Sequence, residues 1–213
     1  MAQLAAGATL KHRSSGKDGG EIVQALVWIP MSVERVWLSI QDDEHNKLAE
    51  GLKEEVLRRG TDGSKTLYQF LDLPYPFDDR HWVIGIKNNA LLFEASDGAL
   101  WERTWFLDPA GENAVPPRLA EAASGAVYTP VNRGGWSLVE VEKGALLLYQ
   151  VESDVGGYVP DRFVARFTYS GIESLFARVE KGAQEVPFHY KQGHAVFVRP
   201  DSSAIEIWPR KSP

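Results

Sequence analysis

Gly134-Gly135-Trp136-Ser137-Leu138-Val139-Glu140-Val141 runs into Glu142-Lys143-Gly144 and then Ala145-Leu146-Leu147-Leu148-Tyr149-Gln150-Val151. Two strand-like runs joined by so short a turn read as an antiparallel hairpin. The first run places Trp136, Leu138 and Glu140 on one face, because successive side chains alternate. Gly156-Gly157-Tyr158-Val159-Pro160 follows. Val159, Phe163, Phe167, Ile172, Leu175, Phe176 and Val179 then recur at three- and four-residue spacing, with Val164 beside them. That stripe predicts one amphipathic helix from about Tyr158 to Lys181. Pro160 fits its first turn, Asp161 suits the positive end of its dipole, Gly171 weakens its middle, and Gly182 is placed to end it.

Working outward, residues 1–20 are small, polar and glycine-bearing, and read as a flexible arm. Ile22 to Ile29 is a β-branched and aromatic run stopped by Pro30. Ser32 is placed to cap a helix carrying Val33, Val36, Trp37 and Ile40, and Asp42 or Asp43 to cap a second, ending near Ala49. Leu52 to Arg59 and Lys65 to Asp72 are strands, the latter with Tyr68 and Phe70 on one face. After Pro74 to Asp79, strands run from Arg80 to Ile86 and from Ala90 to Ala95. Asp97-Gly98 is placed as a hairpin turn with positive φ into Leu100 to Leu107. Residues 108–133, rich in Pro, Ala and Gly, are too long for an ordinary connection and are expected to act as a lid. Ala195 to Val198 and Ala204 to Trp208 suggest a further hairpin, patching the sheet or making a dimer contact. Seven or eight strands, mostly in hairpins, with two short helices after the first and a long helix behind, indicate an α+β fold on an antiparallel sheet.

The chain has 213 residues, a net charge of −6 and a hydrophobic fraction of 44%. One domain with a real core is expected. With no basic cluster to meet phosphates, nucleic acid is not an expected partner. No apolar run is long enough for a membrane span. Residues 1–7 lack a leader's charged start and apolar core, which favours the cytoplasm, although a chain with its leader removed would look the same. Cysteine is absent, so disulfides, thiolate metal sites and cysteine nucleophiles are excluded. No Gly-x-Ser-x-Gly, His-Glu-x-x-His or Walker pattern occurs, and His12, His45, His81, His189 and His194 lack metal-ligand spacing, so neither metal nor cofactor is expected.

Several motifs add a resemblance. Asp72-Leu73-Pro74-Tyr75-Pro76-Phe77-Asp78-Asp79-Arg80-His81-Trp82-Val83 resembles the START (steroidogenic acute regulatory protein-related lipid transfer) segment in which a proline turn precedes an Arg-Asp-aromatic-Val strand. Val27-Trp28-Ile29-Pro30 with Val33-Glu34-Arg35-Val36-Trp37 resembles the superfamily's opening strand and helix, and the hairpin, Gly-Gly, Pro and helix resemble its C-terminal half. The likeness covers residues 21–182. It departs at His81, where the family usually has an acid, and at Ile86, near where several lipid-transfer members carry a buried arginine.

The resemblance implies a helix-grip fold: a curved antiparallel sheet around the last helix, with a cavity between them. Residues 1–20 would form an arm, 21–182 the domain and 183–213 an extension. The function implied is binding or transport of a lipid or other hydrophobic small molecule, without chemistry. The alternative is a polyketide aromatase/cyclase of the same superfamily, for which Arg103, Glu140, Tyr68 and Tyr149 are the candidate polar cluster. Candidate cavity residues are Tyr68 and Phe70; Trp82, Ile84 and Ile86; Trp101, Arg103 and Trp105; Trp136, Leu138 and Glu140; Tyr149; and Phe163 and Phe167 on the helix. The same tryptophans would equally serve as packed core. If Trp101 and Trp105 face inward, Arg103 comes with them and needs a partner, for which Glu140, Glu94 or a ligand head group are candidates. A monomer in transient contact with membranes is compatible with this reading, as is a dimer through the last hairpin.

Overall fold

A computed structural model of the protein describes residues 8–16, 20–42, 45, 51–159, 169–189 and 197–205. Strands β1 (Leu10–Ser15), β2 (Glu21–Ile29), β3 (Leu52–Arg59), β4 (Lys65–Leu71), β5 (Arg80–Asn88), β6 (Leu100–Leu107), β8 (Val131–Val141) and β9 (Gly144–Asp154) form one sheet in the order β1-β2-β9-β8-β6-β5-β4-β3. Its neighbours are antiparallel, apart from the short β7 (Val127–Tyr128), which pairs parallel with β5. The helices are α1 (Val33–Gln41), α2 (Ala90–Ala95), α3 (Pro117–Ala122) and α4 (Ile172–His189), with a 3₁₀ turn at Gly111–Ala114.

The β8–β9 hairpin forms as its sequence predicts, with Val141 opposite Gly144 and Trp136 opposite Tyr149. Its inner face meets α1 and α4 in one core. Val23, Ala25, Val27 and Ile29 of β2, Leu138 of β8 and Ala145 and Leu147 of β9 pack on Val36, Trp37, Ile40, Phe176 and Val179. Each large apolar side chain closed off in this way contributes about 1.5–3 kcal/mol. The two helices touch closely where Ser39 Oγ donates to the Val179 carbonyl at 2.8 Å, an approach a larger side chain would block.

Several expectations change. Within the expected arm, Leu10–Ser15 forms β1, with Leu10 opposite Leu26 and Ser15 opposite Glu21. Its side chains stay exposed, so no alternation marked it. It supplies backbone partners to the edge of β2 instead. The described part of the long helix begins at Ile172, and Tyr158 lies in a bend before it; Phe163 and Phe167 fall outside the described residues. Gly182 does not end that helix. Ile172, Phe176, Val179, Ala183 and Val186 are all buried, so the apolar stripe carries it on to His189.

Ala90–Ala95 is a helix, not a strand. Asn89 caps it by accepting from Leu92 N at 3.1 Å. Asp97 and Gly98 do take positive φ, 51° and 79°. They end a helix rather than turn a hairpin, because Gly98 N donates to Phe93 O and Asp97 N to Glu94 O, the paired bonds of a Schellman ending.

Residues 108–133 are not irregular throughout: they hold the 3₁₀ turn, α3 and β7. Val115 and Leu119 pack on Tyr68, Phe70 and Val83, and β7 adds to β5. The segment therefore covers the outer face of the sheet. The described part of the final hairpin is the Val198–Ala204 bridge. It packs on α1: the Val198 carbonyl accepts from Trp37 Nε1 and Gln41 Nε2, both at 2.9 Å. The flanking Val196 and Trp208 lie outside the described residues.

Candidate functional site

Register assembles the site. Across β5, β6, β8, β9 and β2, one row of directly opposed residues reads Asn88, Arg103, Trp136, Tyr149, Ala25. The next row reads Ile86, Trp105, Gly134, Val151, Val23. These residues share the inner face, since Trp136, Val151, Val23 and Ala25 belong to the core against α4 and Trp105 packs against it.

The centre of this face is aromatic. The Trp136 and Tyr149 ring centroids are 4.5 Å apart, those of Trp105 and Tyr149 5.8 Å, and those of Trp136 and Phe176 6.4 Å. Gly134 makes the arrangement fit, because a Cβ there would lie 2.4 Å from the Trp105 ring and 2.2 Å from the Gln150 carbonyl. Trp105 Nε1 donates to Asn132 Oδ1 at 2.9 Å. Tyr149 is only half-buried in area, yet it lies so deep that burial pushes its phenol well above the ordinary value.

Trp82, Ile84 and Ile86 are on the same inner face but in a second apolar cluster with Leu67, Leu71 and Leu73, and Trp105 touches both clusters. Trp82 Nε1 is held by Gln69 Oε1 at 2.6 Å. Trp101 and Leu138 pack in the main core, Trp101 edge-on to Trp37 with centroids 5.5 Å apart.

Other candidates move. Tyr68 and Phe70 are on the outer face with Val83 and Val115, not on the inner one. The reason is parity: Leu67, Gln69 and Leu71 point inward from β4, so the residues between them point out. Beside Tyr68, His81 is buried against Tyr128, their centroids 5.4 Å apart, and burial pulls its imidazole below the ordinary value against the opposing charge of Glu112. Glu140 has inward parity but sits at the exposed hairpin end opposite Ala145.

Arg103 is on the inner face and 2% exposed. The partners expected for it, Glu140 and Glu94, are both exposed. Its Nη1 instead donates to Gly63 O at 2.9 Å and to Asn88 Oδ1 at 2.7 Å. The arginine thereby ties the β3–β4 turn to the end of β5. Of the four residues nominated for cyclisation chemistry, only Arg103 and Tyr149 share the inner-face row, one on each side of Trp136.

Arg80, also buried, organises one end of the fold. Its guanidinium donates to the carbonyls of Val155 at 2.6 Å, Gly156 at 2.7 Å and Asp79 at 3.2 Å. The turn before β5 and the segment leading to α4 are thus joined. The sequence reading missed Asn132, Gly134 and Arg80. The first two were visible as residues of the same parity as Trp136, whereas the Arg80 contacts join segments about 75 residues apart.

No protein-family profile matches the sequence, and no curated protein matches it. Solved structures do. Human StAR-related lipid transfer protein 5 superposes with a TM-score of 0.64 at 15% identity, covering 85% of this chain and 84% of that one. The STAR-related lipid transfer protein from Xanthomonas axonopodis gives 0.57 at 17% identity, covering 82% and 98%. The Zhui aromatase/cyclase from Streptomyces gives 0.50 at 11% identity, covering 78% and 96%. The chain therefore has the START-like helix-grip fold, an open antiparallel sheet with a C-terminal helix against it.

Proposed function

We propose that the protein binds a lipid or other hydrophobic small molecule between the inner face of its sheet and α4, as a carrier rather than a catalyst. One observation carries the reading: at the centre of that face Tyr149 and Trp105 stack on one another and stay only partly buried, while Trp136 and Trp101 beside them are buried. Ala25 and Gly134 beside them keep the neighbouring positions small. A ligand hiding roughly 400 Å² of apolar area gains on the order of 10 kcal/mol at about 25 cal/mol per Å². Lost motion takes back several kcal/mol, which leaves micromolar or tighter binding without any ion pair. The lipid-transfer names of similar folds agree with this.

The second reading is ring closure on a polyketide, favoured by the aromatase/cyclase of like fold. It requires a donor and an acceptor of protons within reach of one substrate. Tyr68 on the outer face and Glu140 at the exposed hairpin end do not provide them, and this supports binding over catalysis. We also propose a single domain spanning the sheet and α4. Native mass spectrometry of gently purified protein, followed by solvent extraction, tests the function. A copurifying apolar molecule is expected. Protein that runs only at its bare mass and takes up no lipid on incubation would overturn the reading.

A further inference from the structure

We propose that the ligand carries an uncharged oxygen, that of an alcohol or ketone, on an otherwise apolar body, and that Ser153 holds this oxygen at one end of the inner face. The inference rests on the binding reading above and adds the ligand's chemistry and its direction. Beyond the two rows already described, Asn132, Ser153 and Glu21 stand directly opposed across β8, β9 and β2. Ser153 follows Tyr149 and Val151 at alternate positions of β9, so it shares their inward face. Its Oγ is shut off from solvent and has no hydrogen-bond partner among the described residues. Buried hydroxyls are almost always bonded, and one left unbonded costs stability. Such a group on an otherwise apolar face marks where an acceptor from outside the chain completes the bond.

Trp105 connects this hydroxyl to the aromatic centre. Its ring stacks on Tyr149 with centroids 5.8 Å apart, and its Nε1 donates to Oδ1 of Asn132, the residue opposite Ser153. An apolar body lying along Trp105 therefore has Tyr149 at one end and Asn132 with Ser153 at the other, four strand positions or roughly 13 Å away. Charge then decides the kind of oxygen. Glu21, beside Ser153 in its row, is already ion-paired with Arg13. Arg103 stands in the row of Tyr149, at the opposite end. A head group at Ser153 is thus met by a hydroxyl, which suits an uncharged oxygen. A carboxylate there would give up more hydration than one hydroxyl returns. The competing arrangement has a carboxylate ligand reversed, its charge beside Arg103, and Ser153 distinguishes the two.

The test uses the full chain loaded with 1-aminoanthracene, a neutral fluorescent probe, and displaced by decan-1-ol, decane or decanoate well below the melt. Ser153→Ala is expected to weaken decan-1-ol by about three- to tenfold while leaving decane affinity within about twofold. Its Tm should hold or rise by up to about 4 °C, because the unbonded hydroxyl is gone. Probe uptake by the variant reports that its site is folded. A hydroxyl that serves the fold would give the opposite pair of results, a lower Tm with decan-1-ol affinity unchanged, and would overturn the proposal. Tighter binding of decanoate than of decan-1-ol would also overturn it, because a charge would then be what the site selects. If neither the probe nor any of the three ligands binds the unmodified protein, the binding reading itself fails and this inference with it. Retained probe and decane binding with a decan-1-ol affinity indifferent to Ser153→Ala defeats the inference alone.

Discussion

Replacing Arg103 with methionine should destabilise the fold and leave ligand selection alone. The guanidinium is buried and donates from Nη1 to the Gly63 carbonyl and to Asn88 Oδ1, at 2.9 and 2.7 Å. Hydrogen bonds from charged groups contribute about 1.5–3 kcal/mol each, and their loss here leaves two acceptors stranded. Methionine recovers part of the aliphatic packing, so the net cost is about 3–4 kcal/mol. In a chain of this size each kcal/mol lowers Tm by about 2–4 °C, which gives a fall of roughly 10 °C. Lysine at the same position keeps the charge but cannot reproduce the fork, and should recover less than half of the loss. The assay is a thermal melt followed by circular dichroism, paired with 1-aminoanthracene displacement well below the melt. A Tm within about 2 °C of the unmodified protein would refute the clamp. So would a changed ligand ranking at unchanged Tm, because Arg103 would then be addressing the ligand and not the β3–β4 turn.

Gly134→Ala should cost about 1–3 kcal/mol by overpacking, because the new methyl would lie against the Trp105 ring and the Gln150 carbonyl; urea titration measures it, and Gly125→Ser, at a position with nothing within 4 Å but a positive φ, separates crowding from backbone strain. Burial depresses the folded-state pKa of His81, so below about pH 6.5 the unfolded chain binds the extra proton first and stability falls as pH drops towards the folded value. Tm measured between pH 7 and 5 should therefore decline more steeply for the unmodified protein than for His81→Gln, and parallel slopes would count against it. The raised Tyr149 pKa acts at the other extreme: stability should fall as pH rises above about 10, where the unfolded phenol ionises first, and Tyr149→Phe should remove that part of the decline.

The parts of the fold legible in the sequence are those in which a single periodicity dominates. The β8–β9 hairpin alternates between a drier and a wetter side, which places Trp136 and Leu138 correctly, and in α1, although it is buried nearly all round, the three- and four-residue spacing of Val33, Val36, Trp37 and Ile40 still marks a helix. β4 is different. It is buried on both faces, by the β-sheet core beneath and by residues 115–119 above, so hydrophobicity no longer marks which face is inner and Tyr68 and Phe70 were assigned to the wrong one. The segment Ala90–Ala95 is too short for periodicity to separate helix from strand. The Asp97-Gly98 signal was correctly read as positive φ, but a Schellman ending and a type I′ turn demand the same two residues. The partners of Arg103 were out of reach for another reason. They are a turn carbonyl and an amide 40 and 15 residues away, and local pattern holds no information about either. Trp105 over Gly134 falls between these cases, because parity places the pair on one face but only the register β6–β8 makes them opposite.

Binding as proposed would place an apolar molecule against Trp105 and Trp136 inside the sheet. Quenching of tryptophan fluorescence by a long-chain alcohol brominated along its chain tests this most directly, since bromine quenches only on contact. Saturable quenching at one molecule per chain is expected, largely lost when Trp105 and Trp136 are both replaced by phenylalanine in protein that still melts cooperatively. Quenching that rises linearly without saturation, or that survives the double replacement undiminished, would contradict it.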